Sequence, residues 1–308
     1  MQVIAGRTHF RLAAKSAVAI GKFDGIHRGH RRLLQEILNC REQGLVSVVF
    51  TFDPPASSFF AGREIKELTT REEKRRYFAA MGIDILVEFP LNERTAAMPP
   101  EQFVQEILAE SLQAGFVAAG TDISFGAGGA GNAQLLQQLS AQYGYRVGLI
   151  EKLQENGREI SSTYLREEIE QGHMEMAALL LGEPYRIIGK VVHGKALGRT
   201  IGMPTVNQIP EPEKLLPPYG VYYSQVRLMG KTYNSITNIG CKPTVSEKKQ
   251  IGVETYLYDF EQQVYGQEIE VSLLHYKRPE MHFAGVEELK AQMHSDIEEG
   301  YAFFGSDK

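Results

Sequence analysis

The sequence predicts two units: an α/β unit built on a parallel sheet over residues 1–183, and an all-β barrel with a terminal helix over residues 184–308. Three observations lead there. Short apolar runs alternate with amphipathic helical stretches as far as Ile150, the pattern of a parallel sheet with crossover helices. Beyond Tyr185 the pattern changes to short β-rich runs separated by Gly-rich turns, as in small antiparallel barrels. The chain of 308 residues is also long enough to bury two separate cores.

Taken in order, the runs Ala17–Gly21, Leu45–Phe52, Ile83–Phe89, Phe116–Gly120 and Arg146–Ile150 read as the strands of the first unit. The helical patterns between them are Arg31–Cys40, Arg71–Ala80, Gln102–Leu112 and Ala133–Gln142. In the first of these, Leu33, Leu34, Ile37 and Leu38 fall on one face. A helix over about Thr163–Gln171 closes the unit, a second amphipathic piece follows at Met174–Leu181, and the boundary falls near Gly182–Pro184. Strands of the second unit are expected at Arg186–His193, Gly220–Met229, Lys231–Asn238, Gly252–Leu257 and Glu268–Leu274, with a helix over about Gly285–Glu299 to cover them.

Composition excludes several classes. A net charge of -5 argues against a nucleic-acid partner, which calls for a basic excess. The cysteines, Cys40 and Cys241, lie far apart without metal ligands at finger spacing, so a reducing compartment fits better than a disulfide scaffold. Met1–Phe10 has no apolar core of signal-peptide length. No run approaches the ~18–20 apolar residues of a membrane span. A soluble, cytoplasmic protein with no membrane partner is expected; the sequence does not set its oligomeric state.

In parallel sheets ligands bind beyond the carboxyl ends of the strands. There, directly after the first strand, stands Gly21-Lys22-Phe23-Asp24-Gly25-Ile26-His27-Arg28-Gly29-His30, leading into a helix. Helix N-termini attract anions through unpaired N–H groups and the helix dipole. Two imidazoles at that point can hydrogen-bond phosphate oxygens as charge develops on them. Gly25 permits a tight turn and Gly29 a close backbone approach. Further on, Ser161-Ser162-Thr163 precedes Arg166. One hydroxyl would be explained by helix capping; three with an arginine on the first turn suit a pyrophosphate grip.

These residues resemble the nucleotidyltransferase superfamily with a His-x-Gly-His signature, and specifically its FAD synthetase branch. Gly21–His30 is similar to that branch's "G-x-F-D-G-x-H-x-G-H", and Ile160–Arg166 to its "I-S-S-T-x-x-R". Phe50-Thr51-Phe52, Pro100–Phe103 and Gly120-x-Asp122-x-x-Phe125-Gly126 with Gly131 extend the match. The resemblance implies a Rossmann-like domain in which His27 and His30 bind ATP phosphates within a cradle shaped by Gly21, Phe23, Gly25 and Gly29. It implies that Ser162, Thr163 and Arg166 help hold those phosphates and that Asp122 lies near FMN. The implied reaction is attack of the FMN phosphate on the α-phosphorus of ATP, releasing pyrophosphate. The sequence departs from the family pattern at Pro55-Ala56, where "F-D-P-H-P" is usual, and at Ile123-Ser124, where an aromatic and often a basic residue follow the aspartate.

The second unit opens with Gly189-Lys190-Val191-Val192-His193-Gly194, then Gly198-Arg199 and Gly202-Met203-Pro204-Thr205-Val206-Asn207. Single glycines here read as hairpin turns. Clustered with Lys, His and Arg they also suit a phosphate cradle. Thr205 and Asn207 point the same way if the segment is extended, and two neutral oxygens beside ATP phosphates suit Mg²⁺. The string resembles the riboflavin kinase signature "G-x-V-x-x-G-x-x-x-G-R-x-x-G-x-P-T-x-N". The match continues through Gly220-Val221-Tyr222, Asn238–Thr244, Val253–Leu257, Asp259-Phe260, Tyr265-Gly266 and Arg278-Pro279-Glu280.

That resemblance implies ATP binding by Gly189, His193, Gly194, Gly198, Arg199 and Pro204, and a Mg²⁺ cofactor held by Thr205 and Asn207. It also implies proton removal from riboflavin by Glu254, and flavin contacts by Arg278 and Glu280. Three functions stay open on sequence alone. The leading one is bifunctional, riboflavin to FMN and FMN to FAD. The others are a riboflavin kinase with a degenerate adenylyltransferase half, and a flavin- or nucleotide-sensing regulator without turnover.

Overall fold

The computed structural model describes residues 1–194, 198, 202–242 and 250–305, and its chain divides into two compact units, Met1–Ser162 and Thr163–Lys308. In the first, β1 (Gln2–Ala5), β2 (Ser16–Ile20), β3 (Val46–Asp53), β4 (Ile85–Pro90), β5 (Ala114–Gly120) and β6 (Arg146–Ile150) form one parallel sheet in the order β1-β4-β3-β2-β5-β6. The central strands are the most apolar, as expected for strands buried on both faces, and β2 is fully buried. Val18, Ile20, Val48 and Phe50 pack on one face, Ala17, Ala19 and Val49 on the other.

The helices are α1 (Arg28–Asn39), α2 (Ala56–Ala61), α3 (Arg71–Ala80), α4 (Glu93–Ala96), α5 (Pro100–Gln102) and α6 (Ala133–Tyr143). Thr70 caps α3 in a reciprocal box with Glu73: Glu73 N–H donates to Thr70 Oγ1 at 3.3 Å, and Thr70 N–H to Glu73 Oε2 at 3.0 Å. After α5 the chain adopts a π-helical register over Phe103–Ser111, and Leu112 N–H reaches back five residues to the Ile107 carbonyl at 2.9 Å. A small hairpin, β7 (Gln154–Glu155) with β8 (Arg158–Glu159), completes the unit. Chain order changes direction at β2, which pairs with β3 on one side and β5 on the other. The crevice between the carboxyl ends of β2 and β5 is the switch point where α/β sheets take ligands.

From Thr163 onward the second unit takes in the rest of α7 (Ser162–Glu170) and α8 (Met174–Leu181). The contacts divide the chain before Thr163 rather than at residue 183 because α8 packs along the barrel. Glu175 pairs with His275 at 2.5 Å, and Gly172 lies under the Tyr276 ring. The barrel strands are β9 (Tyr185–Lys190), β10 (Thr205–Gln208), β11 (Gly220–Leu228), β12 (Lys231–Lys242), β13 (Gln250–Leu257) and β14 (Glu268–Pro279), in the order β10-β13-β12-β11-β14-β9. A bridge between Val192 and Asn207 joins the two outer strands. The last helix, Val286–Phe304, covers one outer face, where Ile297 packs with Val221, Tyr223 and Ile236.

Inside the barrel, Ser224, Ser235, Thr237 and Thr255 are buried and form a hydroxyl ladder across β11, β12 and β13, with links of 2.8, 2.7 and 2.9 Å. Among the described residues no helix is long and apolar enough to cross a membrane.

Candidate active sites

The first site starts where β2 ends. Phe23 (φ 50), Gly25 (φ 86) and Ile26 (φ 38) all take left-handed backbone, which costs about 1–2 kcal/mol at each non-glycine position. The surroundings hold the loop in place. Phe23 and Ile26 are buried. Asp24 Oδ1 accepts from Leu68 N–H at 2.8 Å and Thr69 N–H at 3.3 Å, and Thr69 Oγ1 accepts from Gly25 N–H at 3.1 Å. The Ser162 hydroxyl donates to the Asp24 carbonyl at 2.7 Å.

The loop delivers His27 to the N-cap of α1, where its side chain makes no capping bond, and His30 lies one turn on. The rings stack with centroids 3.8 Å apart. A Cβ on Gly29 would stand 3.2 Å from the His27 ring, so the glycine leaves room for it. Burial lowers the His27 pKa to about 4, partly offset by the Asp122 carboxylate. Burial, reinforced by His27, drives His30 well below its ordinary value. Both rings are therefore neutral near pH 7. Among the described residues the buried Nδ1 atoms of His27 and His30 have no hydrogen-bond partner, as expected where a ligand completes the pairing. Neutral imidazoles beside a helix N-terminus can bind phosphate by hydrogen bonding.

Asp122 follows β5 across the same crevice and pairs with Lys152 Nζ at 3.1 Å. Lys152 also binds Glu159 at 2.7 Å, and Arg28 binds Glu155 at 2.7 Å, so ion pairs tie the β7–β8 hairpin to the histidine motif and to Asp122. Lys152 thus sets a cation beside Asp122, where the following residues, Ile123 and Ser124, bring none. Thr163 and Arg166 lie in the first turns of α7 and belong to the second unit.

The second site lies on the outer barrel face under the last helix. Register places Asn207 opposite Glu254, Glu254 opposite Asn238, Asn238 opposite Val221, and Val221 opposite Arg278. With a side-chain period of two, these residues form one row, and Thr205, Tyr256 and Ile236 form the next. Thr205 Oγ1 donates to Glu254 Oε1 at 2.6 Å. A Cβ on Gly194 would fall 2.6 Å from the Asn207 side chain, so the glycine turn closes against that amide. Gly198 stands likewise over Thr205, 3.3 Å from its hydroxyl by the same measure.

A cavity of about 200 Å³ brings together Gly198, Thr205, Asn238, Glu254, Arg278 and Glu280, with Met293 and Ile297 of the last helix. Arg278 is held by Asp296, Nη2 to Oδ2 at 2.5 Å, and Gln292 donates to the same carboxylate at 3.0 Å. The Glu280 carboxylate lies against Gly240. Thr205 also lines a second cavity of about 500 Å³, together with Val191, Pro204, Phe260 and Tyr265, and His193 is stacked on Tyr265 at 3.9 Å. Gly189 lies apart, its carbonyl accepting from Gln208 Nε2 at 3.1 Å. Arg199, Pro243 and Thr244 lie outside the described residues.

Asp24, Lys152, Asn238 and Asp296 were not among the sequence-derived site residues. Asp24 and Asn238 lie inside the quoted motifs, where local spacing gives no sign of their partners. Lys152 and Asp296 reach their sites only through tertiary packing.

A parallel-sheet unit with paired histidines at its switch point, joined to a barrel with a Thr–Glu–Asn cluster, defines a two-unit transferase that handles nucleotide phosphates. Family models agree: one described as FAD synthetase matches residues 10–164, and one described as riboflavin kinase matches residues 181–304. The chain belongs to the bifunctional riboflavin kinase/FMN adenylyltransferase family. It is 38% identical to the member from Escherichia coli K12, covering 94% of this chain and 93% of that one. It is 36% identical to the member from Bacillus subtilis, over 95% and 94%. Its fold matches a crystal structure described as a macrolide-efflux protein from Streptococcus pneumoniae, with a TM-score of 0.83 and 28% identity over 97% of this chain and 98% of that one.

Proposed function

We infer that this protein phosphorylates riboflavin to FMN in its second unit and adenylylates FMN to FAD in its first, with ATP as co-substrate of both. The observation that carries this reading is Glu254, hydrogen-bonded to Thr205 at the junction of two cavities. Riboflavin takes the cavity under the last helix and ATP the one beside His193 and Tyr265. At the junction the Glu254 carboxylate accepts the proton of the riboflavin 5′-hydroxyl as that oxygen bonds the γ-phosphorus and ADP leaves. Thr205 holds the carboxylate in place, and Arg278 and Glu280 border the flavin.

Among the described residues there is no cluster of three or more acidic, His or Cys ligands. Neutral oxygens under a glycine turn fit Mg²⁺ carried in with ATP, which needs few protein ligands. Thr205 and Asn207 would hold it, and its charge would offset that of the phosphates. His193, Gly194, Gly198 and Pro204 form the nucleotide wall.

In the first unit an FMN phosphate oxygen attacks the α-phosphorus of ATP, and pyrophosphate leaves with the α–β bridging oxygen. His27 and His30 donate hydrogen bonds to the phosphates, with Ser162 assisting and Asp122 beside the flavin nucleotide. Gly21, Phe23, Gly25 and Gly29 shape the cradle. The functional boundary lies at residues 183/184. Incubation with riboflavin, MgCl₂ and ATP, followed by chromatography, tests the reading. FMN and FAD together sustain it, FMN alone selects a kinase with a degenerate first unit, and neither product overturns it.

A further inference from the structure

We propose that Asp24 is the positioning residue of the adenylyl-transfer site, fastening a left-handed loop to two other segments so that His27 meets the nucleotide phosphates at a fixed place. The inference rests on the reading of that site given above. Its basis is the loop itself. Phe23, Gly25 and Ile26 have positive φ, and Ile26 is β-branched, a side chain that rarely takes this conformation. Such backbone persists only where the surroundings over-determine it.

Asp24 sits inside this run and binds in two directions. Its carboxylate takes the N–H groups of Leu68 and Thr69, and its carbonyl takes the hydroxyl of Ser162. Thr69 returns a third bond by accepting from Gly25 N–H. The segment it grips is itself fixed, because the next residue, Thr70, closes the capping box of α3. Rigidity thus runs from α3 through residues 68–69 and Asp24 to His27 three residues on. Oδ1 acts here as an acceptor of backbone N–H groups, and an asparagine amide oxygen can fill that place without a charge.

That property supplies the test. Asp24→Ala, Asp24→Asn and Thr69→Val are made in the full chain. FAD formation from FMN and ATP, FMN formation from riboflavin, and the ¹³C-histidine NMR titration of His27 are measured on the same preparations. Misplacing a reacting partner by about 1 Å costs on the order of 10²-fold, so Asp24→Ala is expected to lose about that factor in kcat with little change in KM. Asp24→Asn should stay within about fivefold of the parent, Thr69→Val should fall between them, and FMN formation should be unchanged in all three. His27 should titrate near 4 in the parent and in Asp24→Asn, and move toward 6.5 in Asp24→Ala as its burial is lost.

If Asp24→Asn is as slow as Asp24→Ala, the charge itself acts and positioning is wrong. If Asp24→Ala matches the parent, Asp24 has no role. Should Asp24→Ala fail to fold, Thr69→Val decides, and unchanged FAD formation there overturns the proposal. Should the parent make no FAD, the site reading falls and the titration judges Asp24 alone. Movement in Asp24→Ala but not in Asp24→Asn sustains the role, and no movement in either overturns it.

Discussion

Lowering the pH should loosen the first unit through His27, by an amount that follows from its burial. The ring titrates at about 4 when folded and 6.5 when exposed, so between those values the unfolded chain binds a proton that the folded chain refuses. Stability therefore falls as pH drops from 6.5 toward 4 and is unaffected by this group above 6.5. At 1.36 kcal/mol per pH unit the full window is worth about 3 kcal/mol. Asp122 and His30 face the ring, the first favouring its proton and the second opposing it. The perturbation is His27→Gln, which keeps a polar side chain but cannot titrate. Hydrogen exchange of peptides from β2 and β3, followed through a urea series at pH 7.5 and 4.5, reports the unit separately from the barrel. The parent should lose about 2–3 kcal/mol more than His27→Gln on acidification. Equal losses in the two proteins would mean that the ring is charged or solvated in the folded state, and the argument from burial would fail.

Glu254→Gln leaves the Thr205 hydroxyl an acceptor but removes the base, so kcat for FMN formation should fall ~10²–10⁴-fold with riboflavin KM nearly unchanged; a loss under about tenfold in steady-state assays would exclude the base role. Asp296→Ala strands the Arg278 cation on the cavity wall, and breaking such a buried pair costs about 3–5 kcal/mol. Calorimetry should find the barrel transition lowered and kinetics a raised riboflavin KM, and an unchanged transition would refute the pairing. Pro55, at the N-cap of α2 after β3, has neither a side-chain donor nor an N–H. Pro55→His with Ala56→Pro should raise FAD formation, by up to about 10²-fold if the histidine acts in the transition state, and leave FMN formation alone; no gain in FAD formation would remove the histidine from consideration.

The strands and helices with clear periodicity were legible in the sequence. Arg71–Ala80, Met174–Leu181 and Arg146–Ile150 appear as expected, because burial in each follows from local pattern alone. Gln2–Ala5 was not recognised as a strand, since its residues are mostly exposed and it is ordered by pairing with β4. The expected helix at Gln102–Leu112 has its place but not its register: nothing in the apolar spacing distinguishes five-residue hydrogen bonding from four. The helices Thr163–Gln171 and Met174–Leu181 were legible as elements, but the pairing of Glu175 on the second with His275 of β14 was not, because the partner lies a hundred residues later in the chain. At the sites, residue types and motif order pointed to His27, His30, Thr205 and Glu254. The Lys152–Asp122 and Asp296–Arg278 pairs were hidden because ion-pair partners far apart in sequence leave no local trace.

The hydroxyl ladder inside the barrel bears on which way its strands face. Sliding any one of β11, β12 or β13 by a single residue would invert its inward and outward sets. Ser224, Ser235, Thr237 or Thr255 would then meet the last helix, and Tyr223, Ile236 or Tyr256 would be forced into the interior. The slipped strand would also break a chain of buried hydroxyls, so its parity is fixed by polarity as well as by volume. Because Asn207, Asn238 and Glu254 occupy the outward set of the same strands or their neighbours, the buried serines and threonines dictate the side of the wall on which the carboxylate stands.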